Sequence, residues 1–160
     1  MKKEIKEKIK KQAHSEPSFN RYEETTTRNN TNCYSHALGL TYPNLELYRI
    51  GAICQRKPIE EDYYSIEEIV ELLFLDCKEL QIEIKESSFD ECIFSDKQYK
   101  IALFVKVYAD NQIHDYHFWR FDNEGWTEKW KGRMMRKVDF QKNYLNSFPW
   151  KPVGIYKISK

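Results

Sequence analysis

The chain has 160 residues, 41% of them apolar and 15% aromatic, and its 26 basic residues stand against 25 acidic ones for a net charge of +1. That length suits one domain with its own hydrophobic core, and the even charge gives no overall electrostatic reason to expect nucleic acid or an anionic membrane as partner. No window approaches the run of about 18 consecutive apolar residues that a membrane span needs.

Residues 1–20 read as a charged leader. The run from Lys2 to Lys11 is lysine-rich, interrupted by Glu4 and Glu7, and predicts a short helix or a frayed tail. It lacks the apolar stretch of about 7 to 15 residues that a signal peptide carries, so a cytoplasmic location is expected. Residues 21–160 are read as a single domain. From Ser15 to Asn32 the chain is polar, with Pro17 and three consecutive threonines, as in a loop that wraps the surface.

At Asn32 the pattern changes. In NCYSHALGL, Cys33, His36, Ala37 and Leu40 recur at helical spacing, and Gly39 followed by Pro43 supplies a stop. A short helix opening at Cys33 is predicted. Residues 41–64 contain Pro43, Gly51 and Pro58 and show no sustained period, as in a loop. Ser65 with Glu68 makes a capping box, and Ile66, Ile69, Val70, Leu72, Leu73, Cys77 and Leu80 mark a core-facing stripe that ends at residue 80.

Residues 81–86 then alternate around Ile82 and Ile84 with the period of a strand. Further strands are predicted over 99–108, 113–121, 126–130 and 153–158, with hairpin turns at Asp110-Asn111 and across Asp122-Asn123-Glu124-Gly125. The order defines an α+β domain: helices first, then an antiparallel sheet of four to five strands.

The four cysteines, Cys33, Cys54, Cys77 and Cys92, are widely and irregularly spaced and read as free thiols. Cys77 lies on the core stripe. Cys33 opens a helix, a position where unpaired N–H groups and the positive end of the helix dipole favour a thiolate and can cradle an oxyanion. A nucleophilic thiol needs a base, and His117, near the middle of a strand among aromatics, is the best candidate; His14 lies in the leader and His114 beside a turn. Zinc is an alternative, since Cys33-x-x-His36 and His114-x-x-His117 look like two ligand pairs. Residues three apart on a strand face opposite ways, however, so no metal is expected, and without a glycine-rich phosphate loop no cofactor is expected.

The segment NCYSHALGL, followed downstream by DYHFWRFDNEGWTEKWKG, resembles the bacterial papain-like cysteine peptidases related to the NlpC-type amidases, over roughly residues 30 to 131. The resemblance implies a papain-like fold, with the helix that bears the nucleophile packed on the sheet. It assigns Cys33 as nucleophile, His117 as base and Glu128 as the residue that orients the imidazole. Members of the family more often carry Asp before the nucleophile and a small residue after it, where this chain has Asn32 and Tyr34; subfamily and substrate stay open.

Register decides whether Glu128 can serve. A two-residue turn at Asn123-Glu124 pairs Phe121 with Trp126 and Trp119 with Glu128, which puts Glu128 diagonally on the face of His117. A bulge at Gly125 would turn it away and leave Asp115 or Asp139 as the orienting carboxylate. For the oxyanion, the Cys33 N–H is the first donor and the amide of Asn30 or Asn32 a second. Tyr34 and Trp119 are candidate substrate contacts, although Trp119, Trp126 and Trp130 suit cross-strand packing equally.

The expected activity is hydrolysis of a peptide, isopeptide or side-chain amide in a peptide or protein substrate, through a Cys33 thioester. Deamidation and acyl transfer share that chemistry. A papain-like scaffold that binds a peptide without turnover is the alternative from another class, and a nucleic-acid binder using the Lys2–Lys11 arm is disfavoured by the even charge.

Overall fold

The computed structural model describes residues 1–57, 63, 65–107, 113–147 and 149–160. The turn expected at Asp110-Asn111, Pro58 and the side chain of His114 lie outside the described residues.

The basic stretch at the start of the chain folds as helix α1, Lys3–Ala13, and its Ile9 and Ala13 are buried in the main core. The polar segment after it is more ordered than a surface loop. It forms a 3-10 turn, Phe19–Glu23, and helix α2, Thr25–Asn29, and buries Tyr22, Thr27 and Thr31. Short polar side chains satisfy its backbone locally: the Thr31 hydroxyl donates to the Thr27 carbonyl and the Asn30 amide to the Thr26 carbonyl.

Helix α3 spans Cys33–Ala37. Asn32 caps it, its Oδ1 accepting from the Tyr34 and Ser35 amides, while the Ser35 hydroxyl accepts from the Asn32 amide in return. Gly39, at φ +71°, ends it in the left-handed conformation that glycine adopts without strain. Helix α4, Ile66–Glu79, starts from the Ser65 cap and buries Ile69, Leu72, Leu73, Asp76 and Cys77, the stripe that the three-and-four spacing requires.

Six strands follow: β1 Glu83–Ser87, β2 Gln98–Val107, β3 Ile113–Asp122, β4 Gly125–Glu128, β5 Arg136–Lys137 and β6 Lys151–Ser159, with the four-residue helix α5, Phe140–Asn143, between the last two. They form one antiparallel sheet in the order β1-β6-β2-β3-β4-β5. The sheet thus has one strand more than the four to five expected. The extra one is β5, two residues long and without an apolar alternation, and so carries no sequence signal of its own. The last strand inserts between β1 and β2, which buries β2 from Tyr99 to Val105 on both faces.

The two faces of the sheet are covered differently. α1, α3 and α4 pack a large core against one face, with Tyr34, Leu73, Ile101, Leu103 and Phe118 at its centre. A smaller aromatic core on the other face gathers Phe104, Trp119 and Trp126 beneath Phe140, Tyr144 and Trp150 of the returning segment. Among the described residues no helix is long and apolar enough to cross a membrane.

Candidate active site

The hairpin between β3 and β4 turns at Asn123-Glu124, with Asp122 opposite Gly125, Phe121 opposite Trp126 and Trp119 opposite Glu128. This register keeps Glu128 on the face of His117, and the two side chains meet: His117 Nε2 lies 2.7 Å from Glu128 Oε2. β4 ends at Glu128, so the first half of β3 has no strand beyond it among the described residues. The start of α3 lies against that open edge. The Cys33 thiol is 3.9 Å from the Tyr116 carbonyl oxygen, a long contact for a sulfur donor.

Cys33 and His117 are therefore neighbours. The imidazole Nδ1 closes no hydrogen bond of ordinary geometry, since its other nitrogen is taken by Glu128. Burial opposes a charge on His117, but the polar contact of the Cys33 thiol, the Glu128 hydrogen bond and the charges of both outweigh it and push His117 up to about 9. Burial likewise opposes the Glu128 carboxylate, and His117 and then Arg136 override it and hold Glu128 down at about 2. Because a carboxylate only accepts, Nε2 carries the hydrogen toward Glu128, and Nδ1 is the nitrogen left to exchange a proton with the thiol.

Three further groups fix this pair. Trp130 stacks on the imidazole at 3.8 Å between centroids and 8° between planes, and Trp150 approaches it at 5.9 Å. The Trp119 indole N–H donates to Glu128 Oε2 at 3.1 Å, and Arg136 pairs with Glu128 Oε1. Both carboxylate oxygens are thus occupied, which locks the rotamer that points at His117.

Two grooves open on either side of Trp130. One, of about 390 Å³, is lined by Asn32, Cys33, Tyr48, Arg49, Tyr63 and Tyr116 among others. The second, of about 280 Å³, is lined by His117, Trp119, Glu128, Arg136 and Trp150 among others. Cys33 is 8% exposed, and that exposure faces the first groove.

The remaining sequence candidates fall elsewhere. Asn32 borders the first groove; its Oδ1 caps α3 and one Nδ2 hydrogen goes to the Tyr48 carbonyl at 2.7 Å, which leaves its second Nδ2 hydrogen as the donor it could offer an oxyanion. Asn30 is spent on the Thr26 carbonyl. The Cys33 N–H itself makes no hydrogen bond among the described residues. Tyr34 is no substrate contact; it is fully buried and donates its hydroxyl to Asp76 at 2.7 Å. Trp119 is buried in the second core and donates to Glu128, and it borders the second groove rather than the one that Cys33 lines. Asp115 accepts from the Tyr116 amide and Asp139 caps α5, so neither orients the imidazole. His36 is buried between Tyr22 and Thr127, where burial and the neighbouring cations keep it well below its usual range and neutral. Among the described residues no cluster of three or more His, Cys, Asp or Glu side chains is placed to hold a metal ion.

Arg136 and Trp150 at the site were not anticipated. Both lie outside any periodic segment, and only the return of the chain over β4 brings them to Glu128 and His117. No protein-family model, no curated protein and no solved structure matches this chain.

Proposed function

We propose that the chain is a papain-like cysteine hydrolase acting on amide bonds of a peptide or protein. One observation carries the reading: a thiol at an open groove stands beside an imidazole whose far nitrogen is held at 2.7 Å by a buried, doubly tethered carboxylate. A structural histidine needs a partner for each nitrogen; this one keeps Nδ1 uncommitted, facing a nucleophile.

In this reading the thiol proton already rests on His117 Nδ1, and Cys33 Sγ adds to the carbonyl carbon with the imidazolium beside it. The oxyanion lies against the Cys33 N–H, and His117 passes the proton to the departing amine nitrogen as the C–N bond breaks, leaving a thioester. Water adds to the thioester with His117 as base, and the C–S bond breaks to release the acid and restore the thiol. Glu128 keeps its charge throughout and stabilises the imidazolium. An amine in place of water gives acyl transfer with the same residues, and a side-chain amide as substrate gives deamidation.

Iodoacetamide labelling followed by peptide mass spectrometry tests the pair, with the exposed Cys92 as an unactivated reference in the same tube. Cys33 should outpace Cys92 near neutral pH, and His117→Ala should remove the advantage. Both variants, Cys33→Ala and His117→Ala, should abolish turnover of a peptide and amide panel. A Cys33 no faster than Cys92 in the native protein leaves only the reading as a peptide-binding scaffold.

A further inference from the structure

The residue that follows Glu128 on the chain points into the protein. Lys129 is completely buried, and its ammonium donates to three backbone carbonyls: Arg28 at 3.1 Å, Thr31 at 3.0 Å and Trp130 at 3.2 Å. Two of these belong to the segment that leads from α2 into α3, with Thr31 two residues before Cys33. The Gly132 amide donates to the same Arg28 carbonyl, so the stretch after β4 closes on this segment from both sides.

A buried ammonium is normally held by a carboxylate, because the desolvation of the charge is otherwise uncompensated. Lys129 has no carboxylate partner among the described residues. The titratable and charged groups around it are Tyr22, whose ring lies 4.7 Å below Nζ, Arg28 of α2, and Cys33 and His36 of α3.

We propose that Lys129 is a positioning residue for the Cys33–His117 pair: its buried ammonium pins the loop that delivers Cys33 to the strand that carries Glu128. The inference rests on the hydrolase reading above. Burial lowers the ammonium to about 8, Cys33 acts in the opposite direction and Arg28 adds to the lowering, which leaves Lys129 charged at neutral pH.

The test compares the pH dependence of Cys33 alkylation in the full chain for the wild type, Lys129→Met, Lys129→Arg and His117→Ala, each peptide quantified separately. With Lys129→Met the Cys33 alkylation rate near neutral pH should fall about tenfold relative to Cys92, toward that of His117→Ala. Lys129→Arg, which keeps a cation and its donors, should return most of that loss. A Met variant that alkylates Cys33 at the wild-type rate overturns the proposal, and so does an Arg variant as slow as Met, since that assigns the effect to packing alone. Should Lys129→Met not fold, Lys129→Gln is read by the same criteria. A wild-type profile in His117→Ala refutes the Cys–His pair itself and is independent of what the Lys129 variants show.

Discussion

Replacing Glu128 by Gln removes one charge and little volume. Glu128 falls from its ordinary 4.5 to about 2 on folding, and at about 1.4 kcal/mol per tenfold this is worth about 3 kcal/mol. The rise of His117 from 6.5 to about 9 is largely the same interaction seen from its other end, shared with Cys33, and is not added to it. A carboxylate held down stabilises the fold above 4.5 and loses that contribution as pH falls through about 2. An imidazole held up stabilises it below 6.5 and loses that as pH rises through about 9. The contribution is therefore complete between 4.5 and 6.5. Urea unfolding at about pH 5.5 should show Glu128→Gln less stable by about 2 to 3 kcal/mol, a drop in Tm of about 6 to 10 °C for a chain of this size. At about pH 10 the gap should shrink to the about 1 kcal/mol left by the Trp119 and Arg136 contacts. A gap under about 1 kcal/mol at the lower pH, or one of equal size at both, would refute the assignment of Glu128 as a charged partner of His117.

Tyr34→Phe should cost about 1 to 2 kcal/mol in the same assay, since Asp76 loses the Tyr34 hydroxyl but keeps the Gly51 and Cys54 amides, each at 2.7 Å. Cys33 alkylation should be unchanged by it; a slowed reaction would return Tyr34 to the site. Gly51 sits at φ +91°, and a Cβ there would meet the Lys57 Cβ at 2.7 Å. Gly51→Ala should therefore destabilise by about 2 kcal/mol or more, measured as a lowered urea midpoint with unchanged slope.

Much of the fold was legible because its signals are local. The stripe of α4 and its Ser65 cap fix a helix whatever packs on it, and the apolar and aromatic runs around residues 99–107 and 113–121, bounded by turn residues, mark strands in the same way. Asp122-Asn123-Glu124-Gly125 between them marks a turn, and in the two-residue form that the structure adopts it sets Glu128 on the face of His117. The polar segment 15–32 misled because its order comes from hydrogen bonds within threonine and asparagine turns and from the burial of Tyr22, neither of which has a period.

The sequence by itself determined which residues carry reactive groups and that a two-residue turn would put an imidazole and a carboxylate on one face; the structure chose that register over a bulge at Gly125. Only the tertiary structure decided that the thiol joins them, because α3 reaches β3 across 84 positions of chain through packing that no local pattern encodes. It also decided which polar side chains are already spent. Tyr34 looks free to serve a substrate until the buried Asp76 claims its hydroxyl, and Lys129 looks like a solvated strand lysine until three carbonyls enclose it. Hydrogen-bond satisfaction is a property of the whole packed interior, and it is written in no single stretch of the chain.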